Sequence, residues 1–104
     1  MSVNPSGNRG MLTVAANLAD VPGPNGPPSN VEEFTYQGGA RYGYQWTNYD
    51  SSYYTDYSYD DGSTVEGQVG PGGTSIETGS TTPKTDFAVR HASGGLYSSW
   101  VGIE

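Results

Sequence analysis

The sequence predicts a small all-β domain, an antiparallel sandwich or barrel-like meander, led by an extended N-terminal arm. Three observations carry this reading. Apolar and polar residues alternate with a period of two in several short runs, as half-buried strands require. Clusters of Gly, Pro, Asp and Ser separate these runs at intervals of roughly 8 to 12 residues, the spacing of sandwiches and small barrels. The runs are also rich in Tyr, Thr and Val, which suit a pleated surface.

Residues 1–30 read as the arm. Residues 1–10 are extended, and MLTVAANL (11–18) alternates Leu12, Val14 and Leu18 against Thr13 and Asn17, which predicts a strand. A short helix competes there, because Met, Leu and Ala favour helices. Pro22, Pro24, Pro27 and Pro28 then exclude regular structure and make a stiff linker.

The domain proper is expected over residues 31–104. VEEFTYQ (31–37) places Phe34 and Tyr36 on one face, and Gly38-Gly39 ends it. ARYGYQWTNY (40–49) is the clearest strand, with Tyr42, Tyr44 and Trp46 alternating against Arg41, Gly43, Gln45 and Thr47. After a turn at Asp50-Ser51-Ser52 comes YYTDYSY (53–59). Asp60-Asp61-Gly62 then signals a tight hairpin, since Asp-Gly supplies positive φ angles. STVEGQV (63–69) follows, so residues 40–69 read as a three-stranded meander. Gly70-Pro71-Gly72-Gly73 breaks it. Further strands are expected at TSIET (74–78), KTDFAVR (84–90) and, past Ala92-Ser93-Gly94-Gly95, LYSSWVGI (96–103).

Composition limits what such a domain can be. Leu, Ile, Val and Phe total 15 of 104 residues, below the ~20% at which a chain ordinarily builds an aliphatic core. Nine Tyr and two Trp compensate, so the core must be made largely of rings. Sixteen Gly and seven Pro add conformational entropy that folding must overcome. A Gly/Pro/Asn-rich leading stretch on so thin a core is expected to need a partner surface.

Charge and residue types exclude several classes. The net charge is −7, and Arg9, Arg41, Lys84 and Arg90 are the only Lys or Arg residues. Phosphate neutralisation dominates nucleic-acid binding, and four scattered cations do not supply it. No apolar stretch approaches the ~20 residues of a spanning helix. The N-terminus lacks the charged and apolar regions of a secretory signal. The absence of Cys removes disulfides, thiolate metal sites and Cys nucleophiles.

The chemistry-bearing residues give no catalytic constellation. His91, the one histidine, could be joined to Ser93 or Ser98 and Asp86 as a triad, but no strained nucleophile turn accompanies it. A solvated loop histidine is expected instead. Glu32 and Glu33 are adjacent and point to opposite faces of a strand. Asp56, Asp60 and Asp61 could converge on Ca²⁺ at a hairpin tip, with Glu66 or Asp50 nearby. The spacing fails as an EF-hand, because position 6 is Asp61 and position 12 is Gly67. The competing reading is a solvated turn whose aspartates bend the backbone. Beyond that, no cofactor is expected.

The tyrosine block from Tyr36 to Tyr59 is the most distinctive feature. Its rings divide among core, subunit contact and a platform for sugars. The expected contact residues are Leu12, Val14 and Leu18 of the arm and Tyr42, Tyr44, Trp46, Tyr53, Tyr54 and Tyr57 of the block. The expected role is a non-enzymatic structural subunit of a larger particle: a virion decoration, a head–tail or tail component, or an extracellular filament protomer. Its partners are copies of itself or other structural proteins of the same particle, with the arm laid across a neighbour. A carbohydrate- or receptor-binding module using the Tyr/Trp face is the alternative.

Overall fold

A computed structural model describes residues 23–104, together with the backbone of residues 2–4 and 7–9. The described residues form ten strands and no helix. β1 (Ser2–Asn4) and β2 (Gly7–Arg9) pair antiparallel, so the leading ten residues contain a small hairpin where an extended arm was expected. The strand expected over 11–18, with Leu12, Val14 and Leu18, lies outside the described residues.

The remaining strands make two antiparallel sheets packed together, as the alternation and turn spacing predict. One sheet has the order β3 (Ser29–Tyr36), β4 (Arg41–Thr47), β7 (Ser75–Glu77). The other has the order β10 (Val101–Gly102), β8 (Ala88–Ser93), β5 (Tyr54–Ser58), β6 (Gly67–Val69), with β9 (Leu96–Tyr97) also on β8.

The three-stranded meander expected over 40–69 does not form. β4 pairs with β3 and β7, whereas β5 pairs with β6 and β8. The connection 48–53 carries the chain from one layer to the other, between two buried rings, Trp46 and Tyr53. Alternation states which face is buried, and it does not state which strand lies alongside.

Turn chemistry sets the other boundaries. Asp61 and Gly62 adopt φ of 59° and 91°, and Ser63 N–H donates to the Asp60 carbonyl at 3.2 Å, so the tight turn is formed. The strand does not resume there. The Asp60 carboxylate accepts from Ser58 Oγ and from Thr64 N–H, both at 2.7 Å, and holds the chain in a longer loop until Gly67. The strand expected from Lys84 begins at Ala88, because Phe87 N–H closes a turn onto the Lys84 carbonyl. Gly94 and Gly95 (φ 60° and 80°) then make a two-residue hairpin turn with Ser93 opposite Leu96.

The core is made of rings. Phe87 is its centre, stacked on Tyr44 at 4.2 Å between centroids and flanked by Trp46, Tyr57 and Tyr59. Val31 and Val89 complete the buried cluster, and Val69, Ile76 and Val101 pack against it. Outside the three-stranded sheet, Phe34 covers its cross-strand partner Gly43. A Cβ on Gly43 would also lie 2.8 Å from the Ile76 carbonyl oxygen.

The described part of the expected arm belongs to this body. Tyr53 Oη donates to the Gly23 carbonyl at 3.1 Å and accepts from Asn25 N–H at 3.3 Å, and Pro28 is fully buried. Residues 23–28 therefore also touch their own domain, and Ser29 and Asn30 open β3.

Candidate functional site

The clearest built feature outside the core lies on the outer face of the five-stranded sheet. Strand alternation puts Tyr54 and Asp56 of β5 outward, level with Ala92 and Arg90 of β8. Gln68 of β6 stands opposite Asp56. Both carboxylate oxygens of Asp56 are engaged: Oδ1 accepts from Gln68 Nε2 and Oδ2 from Arg90 Nε, each at 2.9 Å. The side chains of Arg90 and Asp56 are 20% and 5% exposed, so the ion pair is shielded from water on most sides.

The same guanidinium lies against two rings. Its Cζ is 3.9 Å from the Tyr97 centroid and 4.6 Å from that of Trp100, within range of a cation–π attraction. Trp100 in turn rests on Gly62, where a Cβ would meet the indole at 2.8 Å. Tyr54, Ala92 and Tyr97 form a row across β5, β8 and β9. At ordinary strand spacing the two tyrosines stand roughly 10 Å apart, with Ala92 as the floor between them. Tyr97 is 55% exposed and Tyr54 45% exposed.

A bulge makes this arrangement. β9 and β10 lie along the same edge of β8, joined by the Ser98 N–H to His91 carbonyl bond at 3.0 Å. Tyr97 opposes Ala92 and Val101 opposes Val89, so three residues on this edge face two on β8. The one extra residue divides the strand expected over 96–103 and resets its phase. Val101 turns to the core, and Trp100 joins Tyr97 on the outer face.

The expected contact residues are dispersed. Tyr44, Trp46 and Tyr53 are buried, which removes them from any exposed binding face. Tyr42 and Tyr57 are half-buried, and Tyr57 packs on Phe87. Of the six rings only Tyr54 stands on the face described here. Tyr44 Oη donates to Glu33 Oε1 at 3.0 Å and accepts from Lys84 N–H. Burial chiefly, together with the Glu33 carboxylate, pushes its pKa up to about 12 despite the opposing Lys84 amide.

The calcium candidates are not brought together. Asp56 serves Arg90 and Gln68, and Asp60 serves the turn. Among the described residues no three His, Asp or Glu side chains are grouped as a metal would need. Glu32 and Glu33 diverge as expected, toward Gln45 and Tyr44.

His91 differs from its expectation. It is 0% exposed, on the inner face of β8. Its Nε2 accepts from Tyr49 N–H at 3.0 Å, which places the proton on Nδ1, donated toward the Tyr54 carbonyl at 3.2 Å. Thr55 Oγ1 lies 3.2 Å from the same nitrogen. Burial lowers its pKa. Ser98 Oγ accepts from the His91 backbone N–H, and the ring nitrogens meet the Tyr49 amide, the Tyr54 carbonyl and Thr55 Oγ1, so Ser93, Ser98 and Asp86 are not joined to the ring as a triad. The histidine ties the inter-sheet connection to the sheet.

Comparison with protein-family models, characterised proteins and solved structures gives no significant match to this chain.

Proposed function

We propose that this chain is a non-enzymatic assembly subunit, a building block of a larger particle such as a virion decoration, a head–tail or tail component, or an extracellular filament protomer. Its contact surface is the outer face of the five-stranded sheet, and its first partner is a second copy of itself. The N-terminal arm supplies a further contact across a neighbour, through Leu12, Val14 and Leu18.

One observation carries the reading: Arg90 is held by Asp56 against both Tyr97 and Trp100, on the same face as an exposed Tyr54. Tyr, Trp and Arg are the residues that dominate binding energy at protein interfaces. Rings and a guanidinium already locked in place lose little side-chain entropy on contact. The thin aliphatic core supports the same reading, because small domains of this kind commonly gain stability by association.

Sedimentation velocity over a concentration series tests it. A mass that rises with concentration, and that returns to the monomer value in Tyr97→Ala and Trp100→Ala, is the expected result. A monomer at every concentration overturns it.

A further inference from the structure

A second bulge, on the other sheet, shapes a different site. Ser29 opposes Thr47, but Glu32 opposes Gln45, so β3 carries one residue more than β4 between these pairs. Asn30 takes up the excess in the left-handed region, at φ 52°. That conformation is uncommon outside Gly, and Asn is among the residues that tolerate it. Glu104 clamps the bulge from the far end of the chain: its Oε2 accepts from Asn30 N–H, and its own N–H donates to the Val31 carbonyl, both at 3.0 Å.

Beside the bulge is an open cavity of about 350 Å³ lined by Asn30, Glu32, Gln45, Trp46, Thr47 and Thr74. Its five polar lining side chains are all exposed, so it is a shallow groove able to cover one face of a ligand. We infer that it binds one unit of a neutral saccharide. The inference goes beyond the assembly role and uses none of the residues of the contact face.

The chemistry of the lining selects the ligand class. Two amides and two hydroxyls each supply both donors and acceptors, and Glu32 supplies acceptors alone. Sugar hydroxyls, which donate and accept at once, match that mixture. The internal bonds now present are long and exposed: Asn30 Nδ2 to Thr47 Oγ1 at 3.3 Å and Gln45 Nε2 to Glu32 Oε1 at 3.4 Å. They can be exchanged for ligand hydroxyls at little cost. No Lys or Arg lines the cavity, so a phosphate or acidic sugar would sit unpaired beside Glu32. One lining carboxylate is too few for a calcium cage. The site is separate from the sugar platform expected on the Tyr36–Tyr59 block, of which Tyr44 and Trp46 have buried rings.

Titration of the full chain with glucose, galactose, mannose and N-acetylglucosamine, followed by amide chemical shifts, tests the site. The expected result is saturable shifts at millimolar sugar, confined to residues 30–32, 45–47 and 74, with at least one of the four. Gln45→Ala, an exposed position, weakens that binding roughly tenfold. Thr47→Val, nearly isosteric, does the same if the first variant fails to fold. Three results overturn the inference: no saturable shift with any of the sugars, the same shifts with calcium chloride alone, or shifts centred on Tyr97 and Trp100.

Discussion

Tyr97 and Trp100 stand on the same face of the five-stranded sheet although an odd number of positions separates them. In a regular strand residues three apart point to opposite sides. Here the bulge after Ser98 inserts the extra residue, and both rings reach the Arg90 guanidinium. The bulge thus builds the proposed contact face and, by the same phase change, sends Val101 to the core.

Asp56 should prove more important than its position on an outer face suggests. Asp56→Asn removes the charge facing Arg90 and leaves a largely shielded guanidinium without its partner. Discounting for the exposed fraction of Arg90, a loss of about 1–3 kcal/mol is expected. Urea unfolding checks it, and the loss should change little with added salt, unlike that of a surface pair.

Phe87 is the hub of the ring core, so Phe87→Ala should cost about 3–5 kcal/mol, as for aromatic truncation in a packed interior. Tyr97→Ala, at an exposed ring, should cost under about 1 kcal/mol of monomer stability. Comparing their urea midpoints separates core rings from contact rings.

His91 makes stability depend on pH. Its folded pKa is lowered by burial, while in the unfolded chain it titrates at about 6.5. Between those two values the unfolded state binds more protons, so stability rises with pH. The full contribution is present above about pH 6.5 and is lost as pH falls toward the folded value. Asp50 is held below its ordinary 3.8 by hydrogen bonds from Ser52, and Asp60 by those from Ser58 and Thr64. Their contributions are lost only in more acid solution. The urea midpoint should therefore fall between about pH 7.5 and 5, and His91→Gln should abolish most of that fall. Equal wild-type midpoints at the two pH values would contradict the buried, neutral histidine.

The all-β class, the order of most strands and the need for a ring-built core were legible in the sequence, because alternation and turn residues act locally. Pairing was not. Tyr42, Tyr44 and Trp46 do share one face, as their alternation predicts, yet nothing local says that this face is the buried one or that β4 turns away from β5. Phe34 and Tyr36 do share a face, but it is the outer one, where Phe34 covers Gly43. His91 looked solvated beside Gly94-Gly95, and cross-strand Thr55 and the Tyr49 amide are what bury it. Tyr97 and Trp100 were missed as one face because a bulge breaks the period that would group them, and Arg90 and Gln68 because alternation does not state which strands flank Asp56.

Trp46 is buried and Trp100 is half-exposed, so acrylamide quenching of tryptophan fluorescence reports chiefly on Trp100. If the outer face joins subunits, quenching should weaken as protein concentration rises through the range where mass increases, and should stay constant in Tyr97→Ala. Quenching that stays unchanged while the mass rises would show that the subunits meet elsewhere.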